Sequence, residues 1–322
     1  MSAPARYELP PDTHGVRRVE FRALGTACSI QFRHGDDRTA LTFAADALGW
    51  LGTFEEKFSR FREASLVSRI NAAAGRDWVQ TDVEMERMLD LAEGLHNLTD
   101  GILDASMLPL LRVWDWKVVH LTLPSADDVQ RARSLTGWSK VQRRAGAVFL
   151  PHAGMGLDFG GFGKEFAVDR LARLAAERGI KDALVDLGRD IYALGGNGVH
   201  PFWHVGIEDA LHPGACRSGL ALSNRAVSAS GDHARCFTHH GHRYGHILDP
   251  RTGWPVANGV RGVNVVAQSC MEAGVYSTAL CILGAQEGLT FAARARHVDA
   301  LIQTDTGTLT SRNFPRWEVR AA

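Results

Sequence analysis

Long hydrophobic runs are missing from this sequence. No stretch approaches the ~18 apolar residues that a membrane helix needs. The opening MSAPARYELPPDTHG has neither an apolar h-region nor a cysteine for lipid attachment. These absences lead to the expectation of a cytoplasmic protein without a transmembrane segment, a periplasmic one following only if a leader has been trimmed. An excess of charge is missing too. Lys+Arg and Asp+Glu are 36 each, and no basic stripe or long charge block marks a nucleic-acid binder. Cysteine is scarce: Cys28, Cys216, Cys236, Cys270 and Cys281 are odd in number and show no CxxC spacing. That argues for reduced thiols and against a zinc knuckle. Internal repeats and low-complexity segments are also lacking.

What is present is an ordinary globular balance, 45% apolar and 22% charged over 322 residues. Residues 1–16 are Pro-rich and polar and read as a loose N-terminal arm. Residues 17–322 then read as a single domain of two intertwined lobes. Alternation over 17–34 predicts a strand pair broken at Gly25-Thr26. Leu41, Ala44, Ala45, Leu48, Leu51, Phe54 and Phe58 predict a helix over 38–58. Another starts at Thr81-Asp82, where Thr81 and Glu84 make a capping-box pattern. A further helix begins near Gly163 and stops at Gly179, with Phe166, Ala167, Leu171, Leu174 and Ala175 on one face. Strand-like segments follow at 183–187, 191–194, 203–207, 226–229, 243–248, 262–267 and 298–303, with helices near 271–284 and 286–296. Strands clustered between helices predict an α+β fold.

Four stretches carry possible chemistry. In GLDFGGFGKEF (156–166), Gly156, Gly160, Gly161 and Gly163 precede Lys164 and a helix. The amides of Gly160 to Lys164 would stabilise an anion there; a plain structural turn is the other reading. Standard phosphate spacings fail. A P-loop needs glycine where Asp158 stands, and Phe159 occupies the third glycine of GxGxxG. In RYGHILDPRTGWP (243–255), His246 and Asp249 fall together at a strand end. His246 is a candidate general base, set against a polar hairpin turn with a solvated histidine. In SCMEAGVYSTALCILG (269–284), Gly274 and Thr278 share one helix face, and a mid-helix glycine also fits close packing. Five histidines, His233, His239, His240, His242 and His246, suggest either a metal cluster or a solvated loop, with the spacing of His239, His240 and His242 disfavouring the metal.

Taken in order, these stretches resemble the FAD:protein FMN transferase family, the ApbE-like flavin transferases, from about residue 23 to 303. LGT (24–26) is similar to the family's M-G-T, and FSRFREASLVSRIN (58–71) to F-S-x-[YF]-x-x-x-S-x-[LV]-x-x-[LI]-N. DGILDASMLPLLRVWDW (100–116) resembles D-G-x-F-D-x-T-x-x-P-L-x-x-L-W. LDFGGFGKEFAVDRLARLAAERGIKDALVDLGRDIYALG is similar to the D-L-G-x-x-x-K-G-x-x-x-D helix and the N-x-G-G-D strand after it. SGDHARCF…HILDPRTGWPV is close to S-G-D-Y-x-R-x-F…H-I-I-D-P-R-T-G-x-P.

The resemblance implies an ApbE-like (T-fold-related) architecture, mixed sheets flanked by helices around a central flavin cleft. It implies FAD as substrate, Mg²⁺ as the metal, and transfer of FMN through a phosphoester to a Thr or Ser of a target flavoprotein, releasing AMP. Carried over by position, Leu24, Phe61, Ser106, Met107, Leu108, Asp158, Lys164 and Leu248 fall at cofactor-binding positions. The Gly161 carbonyl and Thr278 fall at metal positions, and His246 and Asp249 at catalytic ones.

Three departures stand out. Gly274 replaces the family's metal-facing aspartate, Glu165 replaces a glycine after the lysine, and Gly188-Arg189-Asp190 replaces Gly-Gly-Asp. Glu272 is turned ~200° away from position 274 and is no substitute. Weakened Mg²⁺ binding is therefore expected. The alternative functions are an FAD-binding carrier or regulator without transferase activity and an FAD pyrophosphatase.

Overall fold

The computed structural model describes residues 9–115, 118, 122–212, 214–231 and 236–319. Its centre is an eight-stranded sheet. Across the sheet the strands run Val16–Ala23, Thr26–Arg33, Asp182–Leu187, Ile191–Leu194, Arg225–Gly231, Val260–Ala267, Asp299–Thr304 and Gly307–Thr310. Every neighbouring pair is antiparallel. The first hairpin turns on Leu24-Gly25, one residue earlier than the sequence pattern suggests. Both residues have positive φ, 52° and 72°, as a two-residue turn matched to strand twist requires.

The pleat sends alternate side chains to two different partners. In Asp182–Leu187, Ala183, Val185 and Leu187 join a core with Phe43, Ala47 and Leu51 of the helix Asp37–Phe58 and with Ala167 and Leu171 of Gly163–Glu177. Tyr276 and Leu280 of Cys270–Leu283 complete that face. Leu184 points the other way, into a core with Trp203, Val205, Leu220 and Phe314. That face is covered by a three-stranded sheet of Trp203–Glu208, Cys216–Leu222 and Glu318–Val319. Leu9 also enters the helix-side core, and its carbonyl accepts from Arg17 Nη1 at 2.5 Å. Residues 1–8 of the expected arm lie outside the described residues.

The helix Asp37–Phe58 is 22 residues long, about 33 Å at 1.5 Å per residue. That length carries it beyond the central sheet. Its last turns place Phe54 and Phe58 in a second core with Ile70, Met85, Met88, Leu89, Trp138, Leu157 and Phe159. The helix Val83–Leu98 supplies Met85, Met88, Leu89 and Ala92. Its N-cap is Asp82, which accepts from the Met85 amide at 3.0 Å; the Thr81–Glu84 box does not form. The Thr81 hydroxyl is drawn off to the Glu86 carboxylate instead.

Candidate active site

The bend before Gly163–Glu177 is built by close approach. A Cβ on Gly156 would lie 2.7 Å from Leu108 Cδ2, and one on Gly160 2.9 Å from Asp158 Oδ1. Both glycines are thus fixed by what touches them. Asp158 accepts the Gly160 amide at 2.6 Å on one oxygen and Arg60 Nε at 2.5 Å on the other. The amides of Phe162 and Gly163 go to the Phe159 carbonyl at 3.1 and 2.7 Å. The expected nest of bare amides is therefore largely closed, because the turn needs those donors for itself. Gly161 is different: it is exposed, with nothing within 4 Å of its Cβ position.

Beyond the bend, a polar seam runs between two helices and a strand. Lys164 pairs with Asp190, and Asp190 accepts from Ser228 Oγ. Asp190 and Ser228 are 2% and 1% exposed. Burial works against the Lys164 charge, but Asp190 and Glu165 outweigh it and hold the ammonium above the usual lysine range. Two residues along the same strand, and so on the same face, Ser230 Oγ meets Ser277 Oγ at 2.8 Å and Thr278 Oγ1 at 3.2 Å. Next to Lys164, Glu165 is 5% exposed and packs where a side chain at 274 would begin. Its Oε1 and Cδ lie 2.7 and 2.9 Å from the Cβ position of Gly274. Glu165 Oε2 has no hydrogen-bond partner among the described residues. Burial first, then Asp190, push its carboxyl upward, against the pull of Lys164.

The histidine segment reaches the same helix through Ile247. The strand there is His242–Gly245, paired with Cys236–His239. It ends three residues before the predicted 248, and Leu248 makes only an isolated bridge with Pro255. Burial in two directions accounts for this break. Ile247 packs on Ile102, Leu103, Val275 and Ala279, whereas Leu248 joins Leu110, Trp114 and Val129. His246, half-buried, leads into that split. The Asp249 carboxylate grips Arg251, with Nη2 at 2.8 Å, and its backbone closes the turn through Trp254 and Gly253. The bend and the histidine segment thus both abut Cys270–Leu283, one at Gly274 and the other through Val275 and Ala279.

The remaining sequence candidates fall around this seam. The Leu24 amide donates to Glu55 Oε1 at 2.9 Å, and its side chain packs partly against both helix-side cores. Phe61 is 66% exposed under the Arg60 guanidinium, 4.2 Å from the ring centre. Arg60 therefore joins Phe61 to Asp158. Ser106 is fully buried, donating to Asp104 at 2.6 Å and accepting the Gly137 amide at 2.7 Å. Leu108 is buried against Gly156, and Met107 packs beside Leu248's cluster. Of the histidine patch, His239, His240 and His242 sit on one hairpin, turning at His240-Gly241, and His233 lies outside the described residues. Among the described residues, no three His, Cys, Asp or Glu side chains converge as a metal cluster.

The sequence pattern did not single out Arg60, Ser230 or a role for Glu165. Arg60 carries no spacing signal, and Ser230 stands only as the first residue of the SGDHARCF match, with no role attached to it. Glu165 did carry a signal: an extra carboxylate on one helix and a missing one on another are paired departures, and the structure puts the two positions in contact.

The fold and this seam define a class before they define a chemistry: a helix-covered antiparallel sheet whose buried acid, base and hydroxyl groups gather at one helix. The chain belongs to the ApbE family, whose model matches residues 24–302. It is 30% identical over 296 residues to a FAD:protein FMN transferase of Treponema pallidum (strain Nichols), covering 86% of this chain and 82% of that one. It is 27% identical over 254 residues to one of Klebsiella pneumoniae (strain 342), covering 78% of each. Among solved structures, the ApbE protein of Thermotoga maritima aligns with a TM-score of 0.85 at 28% identity, over 95% of this chain and 100% of that one. The apo form of the Pseudomonas stutzeri flavinyl transferase ApbE aligns at 0.83 and 25% identity, over 95% and 98%.

Proposed function

We propose that this protein is an FAD:protein FMN transferase, moving the FMN half of FAD onto a Thr or Ser hydroxyl of a target flavoprotein and releasing AMP. The observation that carries it, beside family membership, is the meeting of the Lys164 bend and the His246 segment on one helix. In the reaction the acceptor oxygen bonds to the FMN phosphorus, and the bond from that phosphorus to the bridging oxygen breaks. AMP departs with that oxygen, and the acceptor's proton must be taken up. His246 is the base we assign, since an imidazole titrates near neutrality. Asp249, committed to Arg251, holds the turn that carries it. Phosphoryl transfer depends mainly on positioning and neutralisation of charge. A lysine kept charged in a buried seam supports an anionic ligand beside it, and the exposed Phe61 with Arg60 supports a planar ring.

The family's divalent ion fits the residues present: a buried carboxylate oxygen without a partner on Glu165, the Thr278 hydroxyl and the carbonyl of the exposed Gly161. These are hard oxygen donors with a single carboxylate, a set suited to Mg²⁺ that also contacts phosphate. Bound there, it would neutralise charge on the pyrophosphate. A flavin carrier without transferase activity was suggested by the missing carboxylate at 274. The Glu165 carboxylate in that space removes much of its motive. Cytoplasmic residence belongs to the same proposal, supported by five cysteines of which none is disulfide-bonded.

The test is direct. Protein, FAD, Mg²⁺ and a Thr-bearing acceptor should yield an acceptor heavier by one FMN phosphoester, read by mass spectrometry. Repeated absence of that adduct, with a proven transferase working in parallel, overturns the assignment. AMP release without acceptor would point to the pyrophosphatase.

A further inference from the structure

We propose that Glu165 has taken over the metal-facing role of the aspartate that Gly274 replaces. The carboxylate then reaches the same point from the helix Gly163–Glu177 instead of from Cys270–Leu283. This role presupposes the transferase reading of the seam and deepens it.

Three observations carry it. The first is steric. The Glu165 carboxyl lies within 3 Å of where a Cβ at 274 would stand, so an aspartate there would force the Glu165 side chain out of its present place. The glycine is the room the glutamate needs. The second is an unmet demand. Every other polar group of the seam has a partner: Lys164 and Ser228 are held by Asp190, and Ser277 and Thr278 by Ser230. Glu165 Oε2 alone among them is buried with none. A buried carboxyl oxygen left without a partner is costly, a hard cation would meet it, and the nearby lysine is already engaged with Asp190. The third is alignment. Thr278 stands one helical turn beyond Gly274, on the same face. A carboxylate at the 274 position and a hydroxyl at 278 therefore flank one point, whichever helix delivers the carboxylate. Glu272 is not needed, and its Oε2 accepts the Gln268 amide at 3.2 Å.

The experiment titrates MnCl₂ into the full chain in the presence of FAD, reading free Mn²⁺ by electron paramagnetic resonance. FAD binding is followed separately by flavin fluorescence. Glu165→Gln keeps the shape and removes the charge. It should weaken Mn²⁺ binding by ~10-fold or more, as should Glu165→Gly. The double variant Glu165→Gly with Gly274→Asp should recover affinity towards that of the parent. A Glu165→Gln protein that binds Mn²⁺ like the parent overturns the proposal. So does a folded double variant no tighter than Glu165→Gly alone. Should Glu165→Gly fail to fold, the isosteric Glu165→Gln decides. A parent that does not bind FAD overturns the transferase reading itself. FAD binding with Mn²⁺ affinity indifferent to residue 165 overturns only the role of Glu165.

Discussion

Asp190 does two jobs with one carboxylate. One oxygen holds the Lys164 ammonium and the other accepts from Ser228. At 2% exposure it has no water to fall back on. Asp190→Asn would keep the shape but leave a buried cation facing an amide. Removing one partner of a buried pair costs about 3 kcal/mol or more, because the remaining charge is stranded. With Asp190 gone, burial acts on Lys164 with less opposition, and its pKa falls from its present raised position. We expect Asp190→Asn to lower the urea midpoint with an unchanged slope and to weaken FAD binding. Asp190→Asn matching the parent in both measurements would show that the pair does not matter. The sequence marked Asp190 only as the last residue of an altered Gly-Gly-Asp. Nothing in residues 188–190 announces that its partners come from positions 164 and 228.

At the scale of elements, helices were readable where their ends are chemically marked. Gly163–Glu177 carries a continuous apolar face and stops before Gly179, whose φ is 75°. Cys270–Leu283 follows from its helical residue pattern, expected near 271–284, and Ser269 caps it by accepting the Glu272 amide at 3.1 Å. The short helix Leu66–Ala72 and the strand Cys216–Leu222 were missed. The first spans too few turns to show a period, and the second begins exposed and carries two serine or glycine positions that break the alternation. How two helices lock together was not legible at all. Asp169 on one accepts the Cys270 and Met271 amides of the other at 2.7 and 2.9 Å. It satisfies donors that a helix start leaves open. Burial raises the Asp169 carboxyl above its usual 3.8, against those amides, which pull it down. A raised folded-state pKa fixes the sign. The folded chain holds this proton more tightly than the unfolded one, so the contribution is full below pH 3.8 and is lost as pH rises through the folded value. Asp169→Asn cannot titrate. The unfolding free energy of the parent minus that of Asp169→Asn should therefore fall as pH climbs from about 4, read by denaturant unfolding at each pH. A difference that rises over that range would reverse the sign and contradict the assignment.

Across the whole molecule, the seam lies where the two helix-side cores share a helix. Asp37–Phe58 contributes Phe43, Ala47 and Leu51 to one and Phe54 and Phe58 to the other. Leu24 packs against both cores, and its backbone is pinned to Glu55 of that helix. Asp158 and Phe159 follow a strip whose Leu157 is buried in the second core, while Lys164 opens a helix buried in the first. A dinucleotide held between Phe61, Asp158 and Lys164 would therefore touch both cores at once. Ligand that binds only the folded chain stabilises it by mass action, about 2.7 kcal/mol at a hundredfold excess over Kd. That gain spreads to every amide whose exchange needs the cores to open. With saturating FAD, amide hydrogen exchange should slow in Val83–Leu98, buried in the second core, and in Val260–Ala267, buried in the first. Asp158→Asn, which loses the charge facing Arg60, should shrink both effects together. Slowing confined to one core would mean that the ligand rests on one side of the shared helix, and the placement of FAD across it would have to be abandoned.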